Sequence, residues 1–62
     1  MQTYYTEEQA LWAIIERLGL RDLEPDNYDL DGIRKDGMIF IPDLHKYAFR
    51  ETFWDAVDAN QK

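Results

Sequence analysis

The stretch Arg34-Lys35-Asp36-Gly37-Met38-Ile39-Phe40-Ile41-Pro42-Asp43 decides the fold class of this chain. Its centre, Met38 to Ile41, is a compact run of β-favouring residues, and Pro42 stops it because proline has no N–H to give to a ladder. The four residues before the run suit a type I turn with Gly37 in the left-handed position, which makes Met38 to Ile41 one strand of a hairpin. The partner strand is then expected at about Tyr28 to Ile33, short or bulged where Asp29-Leu30-Asp31-Gly32 adds a second turn signal.

Working outward toward the N-terminus, Thr6 can cap a helix while Gln9 reaches back three residues later, and Glu7 and Glu8 suit the positive end of its dipole. A helix from about 7 to 18 follows, because Leu11, Ile14, Ile15 and Leu18 recur at helical spacing on one arc with Ala10. Gly19 is expected to take the left-handed conformation that ends it, and Arg17 and Arg21 suit its C-terminal end. From Leu20 to Tyr28 the period is lost. Pro25 removes a donor and Asp26-Asn27 is turn chemistry, so this segment reads as a loop with one short helical turn.

Toward the C-terminus, Asp43 can cap a last helix from about 44 to 58. Phe49, Phe53, Ala56 and Val57 would centre its apolar face, with Tyr47 and Trp54 on a flank, and Ala59 to Lys62 should fray. The whole reads as one α+β domain spanning residues 1–62, a helix, a short β-hairpin and a helix.

The length allows no second domain, and a chain of 62 residues buries only about 60% of the surface its unfolded form exposes. There is no cysteine to staple so small a core, so packing must hold it. Two Trp, four Tyr and three Phe supply the rings for that, more than a disordered acidic tail would carry. Met1 to Gln9 lacks a basic region followed by an apolar one, and no apolar run approaches the roughly 18 residues of a membrane helix. The expectation is a soluble, cytoplasmic protein.

Thirteen acids against seven bases give a formal charge of −6, which disfavours unassisted binding to phosphate backbones. Asp22, Glu24, Asp26, Asp29 and Asp31 fall together without a base among them, while Arg34, Lys35, His45, Lys46 and Arg50 form a modest basic shoulder. Asn27, Asp29, Asp31 and Gly32 match the opening of an EF-hand calcium loop, but Met38 stands where a bidentate glutamate is needed, and Arg34 and Lys35 intervene. That leaves an ordinary Asx turn. His45 has no cysteine, serine or second histidine at useful spacing, and no glycine-rich phosphate loop is present. We therefore expect no catalytic residues, no metal site and no cofactor, and read the chain as a non-enzymatic binding protein.

Two groups of residues are candidates for the binding surface. One is the aromatic flank Tyr47 and Trp54, rimmed by Glu51, Asp55 and Asp58, and the other is the acidic run Asp22, Glu24, Asp26, Asp29 and Asp31. The plain alternative for the aromatics is core packing, and for the acidic run it is a solubilising loop, which is the favoured reading of that run taken alone. As an interface, both sets suit a protein partner with a basic surface, in the sharpest form an inhibitor occupying a basic nucleic-acid-binding surface. The rival reading is a DNA-binding regulator that uses Arg34, Lys35, Lys46 and Arg50; a homodimer is a third.

The order of signals also carries a resemblance. Thr6-Glu7-Glu8-Gln9-Ala10 opening a helix, Leu18-Gly19-Leu20 closing it, Gly37 in a hairpin and Ile41-Pro42-Asp43-Leu44 opening another helix resemble excisionase and MerR-type winged-helix domains. The resemblance implies a winged-helix-like scaffold whose wing carries Arg34 and Lys35. Where that family has a basic recognition helix, this chain has Arg21-Asp22-Leu23-Glu24-Pro25-Asp26-Asn27-Tyr28.

Overall fold

A computed structural model describes residues 3–62. The elements run β1 (Thr3–Tyr4), α1 (Glu7–Gly19), a 3₁₀ turn (Pro25–Asn27), α2 (Leu30–Gly37), β2 (Met38–Ile41), β3 (Lys46–Phe49) and α3 (Phe53–Ala59). The three strands form one antiparallel sheet in the order β1-β3-β2. This is an α+β domain about the hairpin expected at Met38–Ile41, but the hairpin is built from different neighbours. Among the described residues no helix is long and apolar enough to cross a membrane.

The α1 boundary follows its cap. Gln9 N–H donates to Thr6 Oγ1 at 3.1 Å, and Gln9 Oε1 accepts from Tyr5 N–H at 2.9 Å. We expect Thr6→Ala to cost about 1 kcal/mol, read as a lowered urea midpoint; an unchanged midpoint would show that this cap contributes nothing. The other end departs from expectation. Gly19 is not left-handed; Asp22 is, with φ 56°. Leu23 N–H donates to Leu18 O and Asp22 N–H to Gly19 O, the bond pair of a Schellman motif, so the chain keeps turning past Gly19 and stops at Asp22.

The expected strand at Tyr28 to Ile33 is instead the start of α2. Asp29 caps it, its Oδ1 accepting from Gly32 N–H at 3.2 Å, and Leu30, Ile33 and Gly37 fall at helical spacing. Gly37 ends this helix and is not left-handed, so the expected turn over Arg34–Gly37 does not exist. The reason for glycine there is proximity: a Cβ on Gly37 would lie 3.1 Å from both Ala56 Cβ and Phe53 Cδ1 of α3.

The expected helix over 44–58 is likewise replaced. Pro42 to His45 form the hairpin loop, with Leu44 N–H bonded to Ile41 O and His45 in the left-handed region at φ 53°. Asp43 therefore sits in a turn and caps no helix. Lys46–Phe49 return as β3 in register with β2, Met38 opposite Phe49 and Ile41 opposite Lys46, and only Phe53–Ala59 are helical. The tail does not fray, because Lys62 N–H donates to Asn27 O at 2.8 Å and Gln61 bridges Tyr28.

Ala10, Ile14 and Leu18 of α1, Ile33 of α2, Met38 of β2 and Phe53 and Val57 of α3 form the buried core with Tyr28. Register places Met38, Phe40, Tyr47, Phe49 and Tyr4 on one sheet face, and four of these pack on or within that core. The outer edge of β2 is blunted. Arg50 N–H donates to Gly37 O, so antiparallel alternation turns the backbones of Met38 and Phe40 outward. Met38 N–H is taken by Arg34 O and its carbonyl accepts from Arg50 Nε at 3.4 Å, while Pro42 has no N–H. Only Phe40 offers free ladder groups, too few to template another strand.

Candidate functional site

The acidic run is only partly gathered by the fold. Asp26 on the 3₁₀ turn and Asp29 and Asp31 at the head of α2 line one cleft of about 350 Å³ together with Leu11, Pro25, Tyr28, Leu30 and Lys62. Two backbone ties hold this corner, Asp29 N–H to Asn60 O and Lys62 N–H to Asn27 O, each 2.8 Å. The buried Tyr28 anchors it from below. Asp29 spends one carboxylate oxygen on the α2 cap; Asp26 and Asp31 are exposed. Asp22 and Glu24 are exposed outside the cleft, Asp22 at the left-handed residue that ends α1. Of the thirteen carboxylates, only Glu7 makes an ion pair among the described residues.

The aromatic flank does not exist as one helix face. Tyr47 lies on β3, half-buried and tilted against Phe40 at 5.1 Å, whereas Trp54 lies on α3. Trp54 borders a second cavity, of about 660 Å³, with Tyr4, Ala13, Glu16, Arg17 and Leu20. Glu51, Asp55 and Asp58 are exposed and do not line it. The groups facing the rings are cations. Arg21 stacks over Trp54 at 3.7 Å, and Arg17 lies 3.8 Å above the Phe49 ring and 5.4 Å from Phe53.

The basic shoulder is largely engaged within the protein. Arg34, 14% exposed at its side chain, reaches Glu7 of α1 at 3.8 Å, and its Nε has no partner among the described residues. It stands on α2 with Lys35, so no wing carries the two; the hairpin carries Lys46, which stacks over Tyr5 at 4.7 Å. Arg50 is tied to Met38 O. Lys35 remains exposed.

Sequence reasoning placed Arg17 and Arg21 only at a helix end and missed Tyr4 and Leu20. The one local signal of the two arginines was their four-residue spacing, with Arg17 in the last turn of α1 and Arg21 in the turn just past it. No protein-family model, curated protein or solved structure is significantly similar to the chain.

Proposed function

We propose that the domain is a non-enzymatic binding module that docks on a basic segment of a partner protein through the cleft of Asp26, Asp29 and Asp31. The observation that carries this reading is the meeting of three carboxylates, none of them ion-paired, over a floor of Leu11, Tyr28 and Leu30. A lysine or arginine side chain matches both parts, its methylene stem on the apolar floor and its charged head among the oxygens. If the partner's basic segment is one that grips nucleic acid, occupation of it makes the domain an inhibitor.

Titration of a fluorescent arginine-rich peptide, followed by anisotropy at low and at physiological salt, tests the reading. The triple variant Asp26→Asn, Asp29→Asn, Asp31→Asn keeps a capping side chain at position 29 and should bind about tenfold more weakly, at about 0.2–1 kcal/mol per exposed pair. A control of equal net charge, Glu8→Gln, Glu51→Gln, Asp55→Asn, should lose much less. Equal losses would reduce the effect to overall charge. A shift of duplex DNA abolished by Lys35→Glu would put the DNA-binding reading in its place.

A further inference from the structure

We infer that the cavity between α1 and α3 is a receptor for a monocarboxylate carrying a flat apolar body. Its walls are Tyr4, Ala13, Leu20 and Trp54, with Arg17 and Glu16 as the polar groups, and its volume of about 660 Å³ falls in the range of small-molecule sites, roughly 300–1,000 Å³. The guanidinium carbon of Arg17 lies over the Phe49 ring, 3.8 Å from its centroid, and that of Arg21 over the Trp54 ring at 3.7 Å. Stacking occupies the face of a guanidinium and leaves its N–H groups in the plane, where they meet a carboxylate in a bidentate fork.

Among the described residues no carboxylate pairs with either arginine. The sole ion pair among those residues is Arg34 with Glu7, so in a protein of net charge −6 both stacked arginines stand without an acidic partner. Glu16 on the wall bears on the charge of the ligand: it repels a polyanion such as a phosphodiester chain far more than a single negative group held by Arg17. The apolar requirement comes from the rim. Leu20 is 83% exposed and Trp54, which lines the same cavity, is only half-buried, so a flat body seated between them covers surface left in water.

The site is separate from the acidic cleft. Ala13, Glu16 and Arg17 share one face of α1, which Leu20 at its C-cap continues, and Leu11, which lines the acidic cleft, is about 200° round the helix from Ala13. Such a ligand is either a free aryl carboxylate or the C-terminal residue of an apolar peptide, which share the recognising chemistry.

Two-dimensional NMR of the labelled protein with 4-phenylbutyrate, its neutral amide, and an acetylated tripeptide ending in phenylalanine with a free carboxylate tests the inference. The acid should give saturable shifts at Ala13, Glu16, Arg17, Leu20 and the Trp54 indole N–H, and the amide should bind at least about tenfold more weakly. Arg17→Met, which keeps a packing stem on Phe49, should lose the same factor, while the triple Asp→Asn variant of the acidic cleft should bind normally. Tighter binding of the tripeptide assigns the site to a peptide C-terminus, and binding of 4-phenylbutyrate alone to a free molecule. Equal shifts from acid and amide, or no saturable shift at about 10 mM acid, a Kd weaker than the millimolar range, would overturn the inference. That comparison uses the unaltered protein, so an Arg17 variant that fails to fold cannot shelter it.

Discussion

Replacing Phe53 with alanine should leave the domain largely unfolded, while replacing its neighbour Trp54 should not. Phe53 is 1% exposed at the first residue of α3 and meets Phe49 at 4.9 Å and Trp54 at 5.0 Å, both edge to face. Its Cδ1 is also one of the atoms nearest to Gly37, so it sets how closely α2 and α3 approach. Truncation forfeits about 3–5 kcal/mol in transfer and cavity terms. At about 0.05–0.15 kcal/mol per residue a chain this short holds roughly 3–9 kcal/mol in all, so one such loss is decisive. Trp54 is half-buried at the core edge, and one ring face carries Arg21. Its removal forfeits partial burial and a cation–π contact of about 0.5–1 kcal/mol, a loss the fold survives. Urea unfolding of both variants, with circular dichroism, separates them. Equal destabilisation would make Trp54 a core residue and the cavity beside it a packing defect.

The parts of this fold that were legible in the sequence are those whose signals are local. The cap at Thr6, the period from Ala10 to Leu18 and the β-favouring run Met38 to Ile41 each act within a few residues, and each appears where read. The hairpin was displaced by one element because Pro42-Asp43 is ambiguous: proline followed by aspartate opens a helix or makes a turn with equal local merit. What decides is pairing of β3 with both β2 and β1, contacts that no short window contains. The four-residue spacing of Phe49 and Phe53 mimicked a helix face, although the rings meet across a strand-to-helix corner. The two cavities divide in the same way. Asp26, Asp29 and Asp31 were visible as an acidic run because they lie close together in the chain on a turn and a helix start, whereas Tyr4, the Arg17–Leu20 end of α1 and Trp54 come from separate elements and meet only in the fold.

The glycines make the remaining large prediction, because one substitution should act with opposite sign at two helical positions. Helix propensity alone makes Gly→Ala favourable by about 1 kcal/mol wherever the backbone is helical. At Gly19, in the last turn of α1 with no positive φ, an added Cβ would meet nothing within 4 Å, so Gly19→Ala should stabilise by about 0.5–1 kcal/mol. At Gly32, in the first turn of α2, the same atom would collide with Asn60 Oδ1 and lie 2.8 Å from Asp29 Oδ2. Asn60 cannot easily withdraw. Its Nδ2 donates to Asp36 Oδ2 at 3.0 Å and to Ala56 O at 2.8 Å, and its backbone carbonyl accepts from Asp29 N–H at 2.8 Å. Overpacking at such a site costs about 1–3 kcal/mol, which exceeds the propensity gain over most of that range, so Gly32→Ala should lower stability. The displaced contacts also hold the acidic cleft, since Asp29 both caps α2 and lines it. Adding Asn60→Ala should remove the collision along with the hydrogen bonds, so the double variant should lose less than the two single losses summed. Thermal unfolding of the three single variants and the double decides it: a Gly32→Ala protein as stable as Gly19→Ala would mean that α2 and the tail do not pack this closely.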